Sequence, residues 1–180
     1  MAEHSLPGIS GSLRAGSFNT LLVREAARLF DPAGFEMADL RLPLYDGDLE
    51  AAEGIPAPVQ RLADQIAAAD AVVISGPEYN KSISGVLKNA LDWVSRTKGN
   101  AWADKPVAIV SAAAGIAGGP RAQFALRHCL VAFRPRLLQG PEVMVGNAAQ
   151  QFDAGGRLTN EVGLKLLSEL MAALKAEIGR

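Results

Sequence analysis

The sequence predicts an α/β protein built on a doubly wound, five-stranded parallel sheet with helices on both of its faces. Short apolar runs alternate with segments whose apolar residues recur at helical spacing, as they do in strand–helix–strand units. The run ADAVVIS, which ends at Ser75, is almost entirely apolar, as expected of a strand buried on both faces. The chain has 180 residues and no linker or repeat, so we expect one domain over residues 1–180.

The first half of the chain predicts two strand–helix units joined by a long loop. The first strand is expected near His4–Ile9, where Pro7, which has no N–H, should shorten the strand or lie with its nitrogen away from a neighbour. The next helix has one apolar face, made by Leu22, Ala26, Leu29 and Phe30. The second strand is expected near Glu36–Leu40, and the proline-rich segment 42–58 predicts a surface loop. The helix after it carries Val59, Leu62, Ala63 and Ile66.

The second half predicts three further strands and three helices. The third strand ends at Ser75. The helix after it is capped by Ser82 or Ser84, and its inward face is made by Val86, Leu87, Ala90, Leu91 and Val94. The fourth strand is PVAIVS. The helix that follows it has one face made by residues at helical spacing, namely Ala122, Ala125, Leu126, Cys129 and Phe133. The fifth strand is expected near Glu142–Val145, before a final helix with Leu167, Leu170, Met171, Leu174 and Ile178.

Composition narrows the possible functions. The formal net charge of −1 supplies no large positive field for nucleic acid or an anionic membrane. A lone Cys129 cannot form an intrachain disulfide, and His4 and His128 lack metal-ligand spacing, so no metal is expected. The first residues resemble no signal peptide and no apolar run is long enough to span a membrane, so we expect a cytoplasmic protein.

Three loops are predicted to meet at one edge of the sheet. In doubly wound sheets, ligands bind outside the carboxyl ends of the strands, where the strand order reverses. The loops after strands one, three and four are SGSLRAGSFN, GPEYNKS and SAAAGIAGG, which are also rich in glycine and hydroxyl groups. Their coincidence predicts a ligand site more strongly than any one of them does.

The first of these loops predicts a site for a single phosphate. GSLRAGSF approaches the G-x-x-x-x-G-K-[ST] pattern but has Ser17 and Phe18 where the lysine and the metal-binding hydroxyl belong, so a triphosphate is a poor fit. Backbone N–H groups at a helix start still suit a monophosphate, with Arg14 and further donors from Ser10, Ser12, Ser17 and Asn19. Taken alone, the same residues equally predict a plain turn and a helix cap.

Taken together, three segments resemble the NADPH-dependent FMN reductase family, whose flavodoxin-like members include quinone and chromate reductases. The segments are GSLRAGSFN, PEYNKSISGVLKNALDW and GIAGGPRAQFALR, and the resemblance covers nearly the whole chain in the same order. It implies a flavodoxin-like fold of three layers, bound FMN, and NADPH or NADH as co-substrate. It also implies a homodimer, and a tetramer if dimers pair again.

The resemblance also assigns a set of cofactor-binding residues. Residues 12–19 would surround the FMN phosphate, 77–81 would border the isoalloxazine ring, and the loop 111–119 would close its other side. The predicted set is Ser10, Ser12, Leu13, Arg14, Ala15, Gly16, Ser17, Phe18, Asn19, Pro77, Glu78, Tyr79, Asn80, Lys81, Ser111, Ala113 and Gly115. The chain departs from the family pattern at Ser84, where proline is common, at Lys81, where an aromatic is common, and at Ala113, where a hydroxyl is frequent.

The function predicted from this resemblance is hydride transfer from NADPH through FMN to quinones or similar acceptors such as chromate, azo compounds or free flavin. No acid–base side chain is required, because the cofactor carries the chemistry, and we assign no catalytic residue. The alternative is a flavodoxin-type electron carrier or redox sensor, although such proteins are usually strongly acidic. A low-molecular-weight phosphatase is excluded, because the loop after strand one has no cysteine.

Overall fold

A parallel sheet forms the centre of the computed structural model, which describes residues 4–180. Its strands are β1 (Ser5–Ser10), β2 (Gly34–Met37), β3 (Val72–Ser75), β4 (Pro106–Ala112), β5 (Arg136–Leu137) and β6 (Val143–Val145). They lie in the order β2-β1-β3-β4-β5, and all pairings are parallel. This is the strand order of flavodoxin-like sheets, so the predicted fold class is confirmed.

The fifth position of the sheet holds two short strands instead of the single strand predicted. The strand β5 pairs with Pro106 and Val107 at the start of β4, and β6 pairs with residues 110–112 at its end. Between them, residues 138–142 leave the ladder at a cis bond between Gly140 and Pro141. The sheet therefore has five positions but six strand segments.

The helices have the bounds α1 (Phe18–Phe30), α2 (Gly47–Glu53), α3 (Ala57–Ala68), α4 (Gly85–Val94), α5 (Pro120–Leu130) and α6 (Glu161–Glu177). Two short 3₁₀ turns follow α5 and β6. The helices α1 and α6 pack on one face of the sheet, and α3, α4 and α5 pack on the other. Each face has its own apolar core, so the sheet is buried on both sides, as the apolar strand runs predict.

Helix α2 corrects the prediction of a plain loop over residues 42–58. Asp46 caps this helix by accepting a hydrogen bond from the N–H of Asp48, and Asp48 and Glu50 add negative charge in the first turn. These features favour a helix start, but the segment has no buried residue. The apolar periodicity by which the other helices were predicted is therefore missing here.

Pro7 is accommodated without shortening the first strand. The ladder between β1 and β3 begins only at Gly8, one residue after the proline, whereas β2 pairs with Ser5–Gly8 on the other side. Before that point, β1 is held to the segment preceding β3 by Asp70, whose carboxylate accepts hydrogen bonds from the backbone N–H and the hydroxyl of Ser5. These bonds also lower the pKa of Asp70.

Among residues 4–180, no helix is both long and apolar enough to cross a membrane.

Candidate functional site

The three predicted loops meet at the carboxyl edge of β1, β3 and β4. The side chain that joins them is Asn19, in the first turn of α1, which is only 4% exposed. Its Oδ1 accepts hydrogen bonds from Ser75 Oγ (2.8 Å) and Ala112 N (3.0 Å), and its Nδ2 donates to Ala112 O (2.9 Å). Because Ser75 ends β3 and Ala112 ends β4, one amide fixes the relative positions of all three loops.

The phosphate loop offers a row of unused backbone donors. Ser17 caps α1, and its Oγ accepts a hydrogen bond from Thr20 N. Within residues 4–180, no acceptor lies in hydrogen-bond range of the backbone N–H groups of Leu13, Ala15, Gly16, Phe18 or Asn19. Free N–H groups at the start of a 13-residue helix form an anion site, and this donor set fits a phosphate monoester.

The side chains of this loop divide into exposed and internal groups. Leu13, Arg14, Ala15 and Gly16 are exposed, and Arg14 Nη2 donates to Gly16 O (3.0 Å). Phe18 instead stacks on Phe152, with ring centroids 5.8 Å apart. Ser12 Oγ lies 3.5 Å from Arg14 N, and the buried Ser10 Oγ accepts a hydrogen bond from Thr20 Oγ1 (2.9 Å).

Ser84 ties the phosphate loop to α4. Its Oγ donates to the carbonyl oxygen of Gly11 (2.6 Å) and accepts from Leu87 N (3.2 Å), so it caps α4 as one of the two predicted candidates. The residue is buried, and at this position the family pattern often has proline. Proline has no hydroxyl and could not make this bond. In this chain, the side-chain hydrogen bond of Ser84 therefore links the start of α4 to the phosphate loop.

The loop after β3 forms a tight two-residue turn. Tyr79 and Ser82 exchange both backbone hydrogen bonds, and the residues between them, Asn80 and Lys81, have φ values of +49° and +66°. Two successive positive φ values define a type I′ turn, which projects both side chains outward. Pro77 is buried, whereas Tyr79, Asn80 and Lys81 are exposed at the carboxyl edge of the sheet.

Glu78 connects this turn to the loop after β4. Its Oε2 accepts hydrogen bonds from Arg121 N (2.9 Å) and Ala122 N (3.4 Å), at the N-terminus of α5, and the Arg121 guanidinium lies 3.6 Å from Oε1. The carboxylate therefore caps a helix, and contact of Glu78 with a ligand would have to use its backbone. The helix dipole and the arginine both stabilise the negative charge there.

The loop after β4 is held in place by hydrogen bonds from polar side chains buried inside the protein. Ser111 Oγ donates to Gly118 O (2.6 Å) and accepts from Gln123 Nε2 (2.9 Å), and the same Nε2 donates to Val143 O. The backbone N–H of Ala113 donates to Val145 O, and its carbonyl oxygen accepts from Ala148 N, while Gly115 is exposed. The hydroxyl of Ser111 thus shapes the loop from inside the protein.

Several residues of this arrangement were not predicted from the sequence. Thr20, Ser75 and Gln123 hold the loops together, yet each lies within a strand or helix pattern that gives no sign of it. The sequence predicts only a surface loop over residues 42–58, but within it Glu50 binds Arg96 at 2.9 Å and Tyr45 at 3.0 Å. The hydrogen bonds from Arg96 lower the pKa of Glu50. Polar contacts between distant segments have no local sequence signal.

Comparison with known proteins places the chain among flavoenzymes. The family model described as NADPH-dependent FMN reductase matches residues 5–150. An NAD(P)H-dependent FMN reductase from Pseudomonas aeruginosa is 45% identical over 175 residues, covering 96% of this chain and 94% of that protein. A quinone reductase from Escherichia coli is 44% identical over 147 residues, covering 79% and 78%. The flavoenzyme FerB from Paracoccus denitrificans, an NAD(P)H:(acceptor) oxidoreductase, has a TM-score of 0.87 at 33% identity, covering 98% and 97%.

Proposed function

This chain belongs to the NADPH-dependent FMN reductase family and is an FMN-dependent NAD(P)H oxidoreductase, and we propose that its acceptors are quinones and similar small molecules. The observation that carries the proposal is the anion site at the start of α1, beside two loops that leave an open edge. FMN, when bound, would supply the redox chemistry between a nicotinamide and the acceptor. The chain's own residues bind and orient these molecules.

The phosphate of FMN would be held by backbone groups of the first loop. The unpaired N–H groups of Leu13, Ala15, Gly16, Phe18 and Asn19 point to such a role. Arg14 would add a charged donor, and the hydroxyls of Ser12 and Ser17 would add further ones. The amide of Asn19 is already used inside the sheet, so its contribution to binding would come from its backbone N–H.

The ring of FMN would lie between the turn 77–81 and the loop 111–119. Apart from Ile116, which is 85% exposed, the second loop from Ala112 to Gly119 has only alanine and glycine, which would leave one face open for a nicotinamide or a quinone. The side chain of Tyr79, which is 52% exposed, borders this opening. No side chain at the edge is needed as an acid or base, so the residues act by position and electrostatics.

The spectrum of the purified protein tests this function. We expect a flavin absorption band that bleaches when NADPH is added under anaerobic conditions. A protein that binds no FMN when the cofactor is supplied in excess would contradict the proposal, and so would one whose bound FMN keeps its oxidised spectrum in the presence of both NADPH and NADH.

Arg14→Ala is expected to weaken FMN binding by roughly 1.5–3 kcal/mol, the range for a hydrogen bond to a charged group. Riboflavin, which lacks the phosphate, should bind both proteins with nearly equal affinity. Fluorescence titration of the cofactor-free protein measures both affinities. Equal losses for FMN and riboflavin would show that Arg14 does not contact the phosphate.

Lys81→Gln is expected to raise the KM for NADPH, and to do so more at low than at high ionic strength. The reason is that Lys81 is exposed at the tip of the turn, where its charge attracts the phosphates of NADPH over a distance set by the Debye length. Steady-state kinetics at about 20 mM and about 300 mM salt make the comparison. If the KM values of the two proteins agree at both salts, Lys81 has no such role.

We propose a homodimer as the smallest assembly. The apolar residues of α4 do not support this, because Trp93 is fully buried, with its Nε1 donating to Pro43 O (2.8 Å) and its ring against Tyr45. What supports it is α5, where Phe124 (60% exposed) and Val131 just beyond its end (68%) leave apolar surface uncovered. Light scattering at micromolar concentration should give twice the chain mass of 18.9 kDa, or a multiple of that dimer mass. A monomer with FMN bound would refute this.

A further inference from the structure

A cavity of about 400 Å³ lies on the side of the phosphate loop that faces away from the loops after β3 and β4. It is lined by Ser10 and residues 12–15 of the phosphate loop, by Thr20 and Arg24 of α1, and by residues 37–41 at the end of β2 and just after it. Because β2 is the edge strand next to β1, the cavity sits between the carboxyl ends of these two strands. The loops assigned to the flavin ring lie on the opposite side of β1.

The cavity is strongly cationic. Its lining includes Arg24 and Arg41, together with Arg14, which is also assigned to the FMN phosphate, against a single carboxylate, Asp39. Arg41 is paired with Asp39 through Nη1–Oδ1 (3.2 Å) and Nη2 lies 3.5 Å from Leu13 O. The guanidinium of Arg24, in α1, has no hydrogen-bond or ion-pair partner among residues 4–180. The guanidinium of Arg24 is thus free to bind an anion, and the single carboxylate already has Arg41 as its ion-pair partner.

The other groups of the cavity suit a nucleoside. The lining also includes Ser10 and Thr20, whose hydroxyls are hydrogen-bonded to each other (2.9 Å), and the apolar side chains of Leu13 and Leu40. Both leucines and Arg41 also line an adjoining apolar cavity of about 430 Å³, which extends to the start of α4. A flat base can lie against the leucines while a phosphate group meets the arginines.

The position of the cavity fits the far end of a dinucleotide. Neighbouring strands are about 4.8 Å apart, so the cavity at β1–β2 lies roughly 10 Å from the ring site at β3–β4. A dinucleotide whose nicotinamide lies over the ring can reach this distance with its adenosine half. We propose that this cavity binds the adenosine 2′-phosphate of NADPH, with Arg24 and Arg41 as the residues that distinguish NADPH from NADH.

The chemistry at the end of β2 supports a preference for the phosphorylated ribose. In other dinucleotide-binding sheets, an acidic residue after the second strand binds the ribose 2′-hydroxyl of NAD, and an arginine nearby accommodates the 2′-phosphate of NADP. Here Asp39 is held by Arg41, through both the guanidinium and the backbone N–H (3.0 Å). Oδ1 of this carboxylate is thus bound to Arg41, and the net charge of the cavity favours a phosphate. The inference rests on the proposed NAD(P)H oxidation.

Direct binding of fragments tests the cavity apart from any turnover. The FMN-loaded protein is titrated calorimetrically with 2′,5′-ADP and with 5′-AMP, which lacks the 2′-phosphate. We expect at least tenfold tighter binding of 2′,5′-ADP, and a loss of about tenfold for this ligand alone in Arg24→Gln. Arg61→Gln, at an exposed arginine of α3, is the matched control and should bind both fragments as the unchanged protein does.

Kinetics and FMN affinity complete the test. In Arg24→Gln, kcat/KM for NADPH should fall about tenfold while the value for NADH and the dissociation constant of FMN stay unchanged. The inference would be overturned if the protein bound the two fragments equally, or if Arg24→Gln lowered kcat/KM equally for NADPH and NADH. It would also be overturned if Arg24→Gln weakened FMN binding, because the cavity would then belong to the FMN phosphate. Oxidation of neither coenzyme would instead refute the proposed function, and the fragment titrations would still decide the cavity.

Discussion

Replacing Asn19 with leucine should lower the free energy of unfolding by about 3 kcal/mol or more. The substitution leaves the N–H and carbonyl of Ala112 and the hydroxyl of Ser75 without their partner, in a place where Asn19 is only 4% exposed. Each buried polar group left unsatisfied costs about 1–3 kcal/mol. Urea unfolding of the cofactor-free protein, followed by circular dichroism, measures the loss.

Asn100→Leu is the matched control for this prediction. Asn100 also bonds backbone groups, Phe133 O and Trp102 N, but it is exposed, so water can replace its hydrogen bonds. We expect a loss of about 1 kcal/mol or less there. Similar losses in the two variants would mean that the amide of Asn19 is not the buried link between the three loops.

Gly146→Ala should weaken FMN binding about tenfold or more. A Cβ at Gly146 would lie 2.6 Å from the carbonyl carbon of Ile116 and 3.1 Å from its Cα, so the loop 113–119 would have to move. That loop is tied to the same segment by the hydrogen bonds Ala113 N–Val145 O and Asn147 N–Gly115 O, which prevent it from moving freely. Overpacking of this kind costs about 1–3 kcal/mol.

The comparison for Gly146→Ala is Gly34→Ala, because a Cβ at Gly34 would meet no atom within 4 Å. Fluorescence titration with FMN and thermal unfolding are measured for both variants. We expect weakened FMN binding only in Gly146→Ala. Unchanged affinity in that variant would show that the loop 113–119 does not border the cofactor.

The sequence was sufficient for the fold because apolar periodicity and the order of strands and helices are local signals. The buried run that ends at Ser75 and the apolar face of α1 both appear in the structure as predicted. Two of the differences between prediction and structure, helix α2 and strand β5, have local causes as well. Helix α2 has no buried face, and β5 has only two residues, so neither produces a periodic pattern.

The site was predictable to the level of loops but not to the level of side chains. That three glycine-rich loops meet at one edge follows from the topology alone. The roles of Asn19, Glu78 and Ser111 depend instead on partners 93, 43 and 7 residues away in the chain, to which each is hydrogen-bonded within the fold. Each of the three looked like a ligand group in the sequence, and each has side-chain hydrogen bonds inside the protein.

We propose that this chain transfers hydride from NADPH to bound FMN and passes the electrons to a quinone. The decisive measurement is anaerobic stopped-flow absorbance of the FMN-loaded protein mixed with NADPH. We predict that the flavin band bleaches far faster than that of free FMN under the same conditions, and that added benzoquinone restores it through many turnovers. Bleaching no faster than that of free FMN would contradict the claim and favour a non-enzymatic electron carrier.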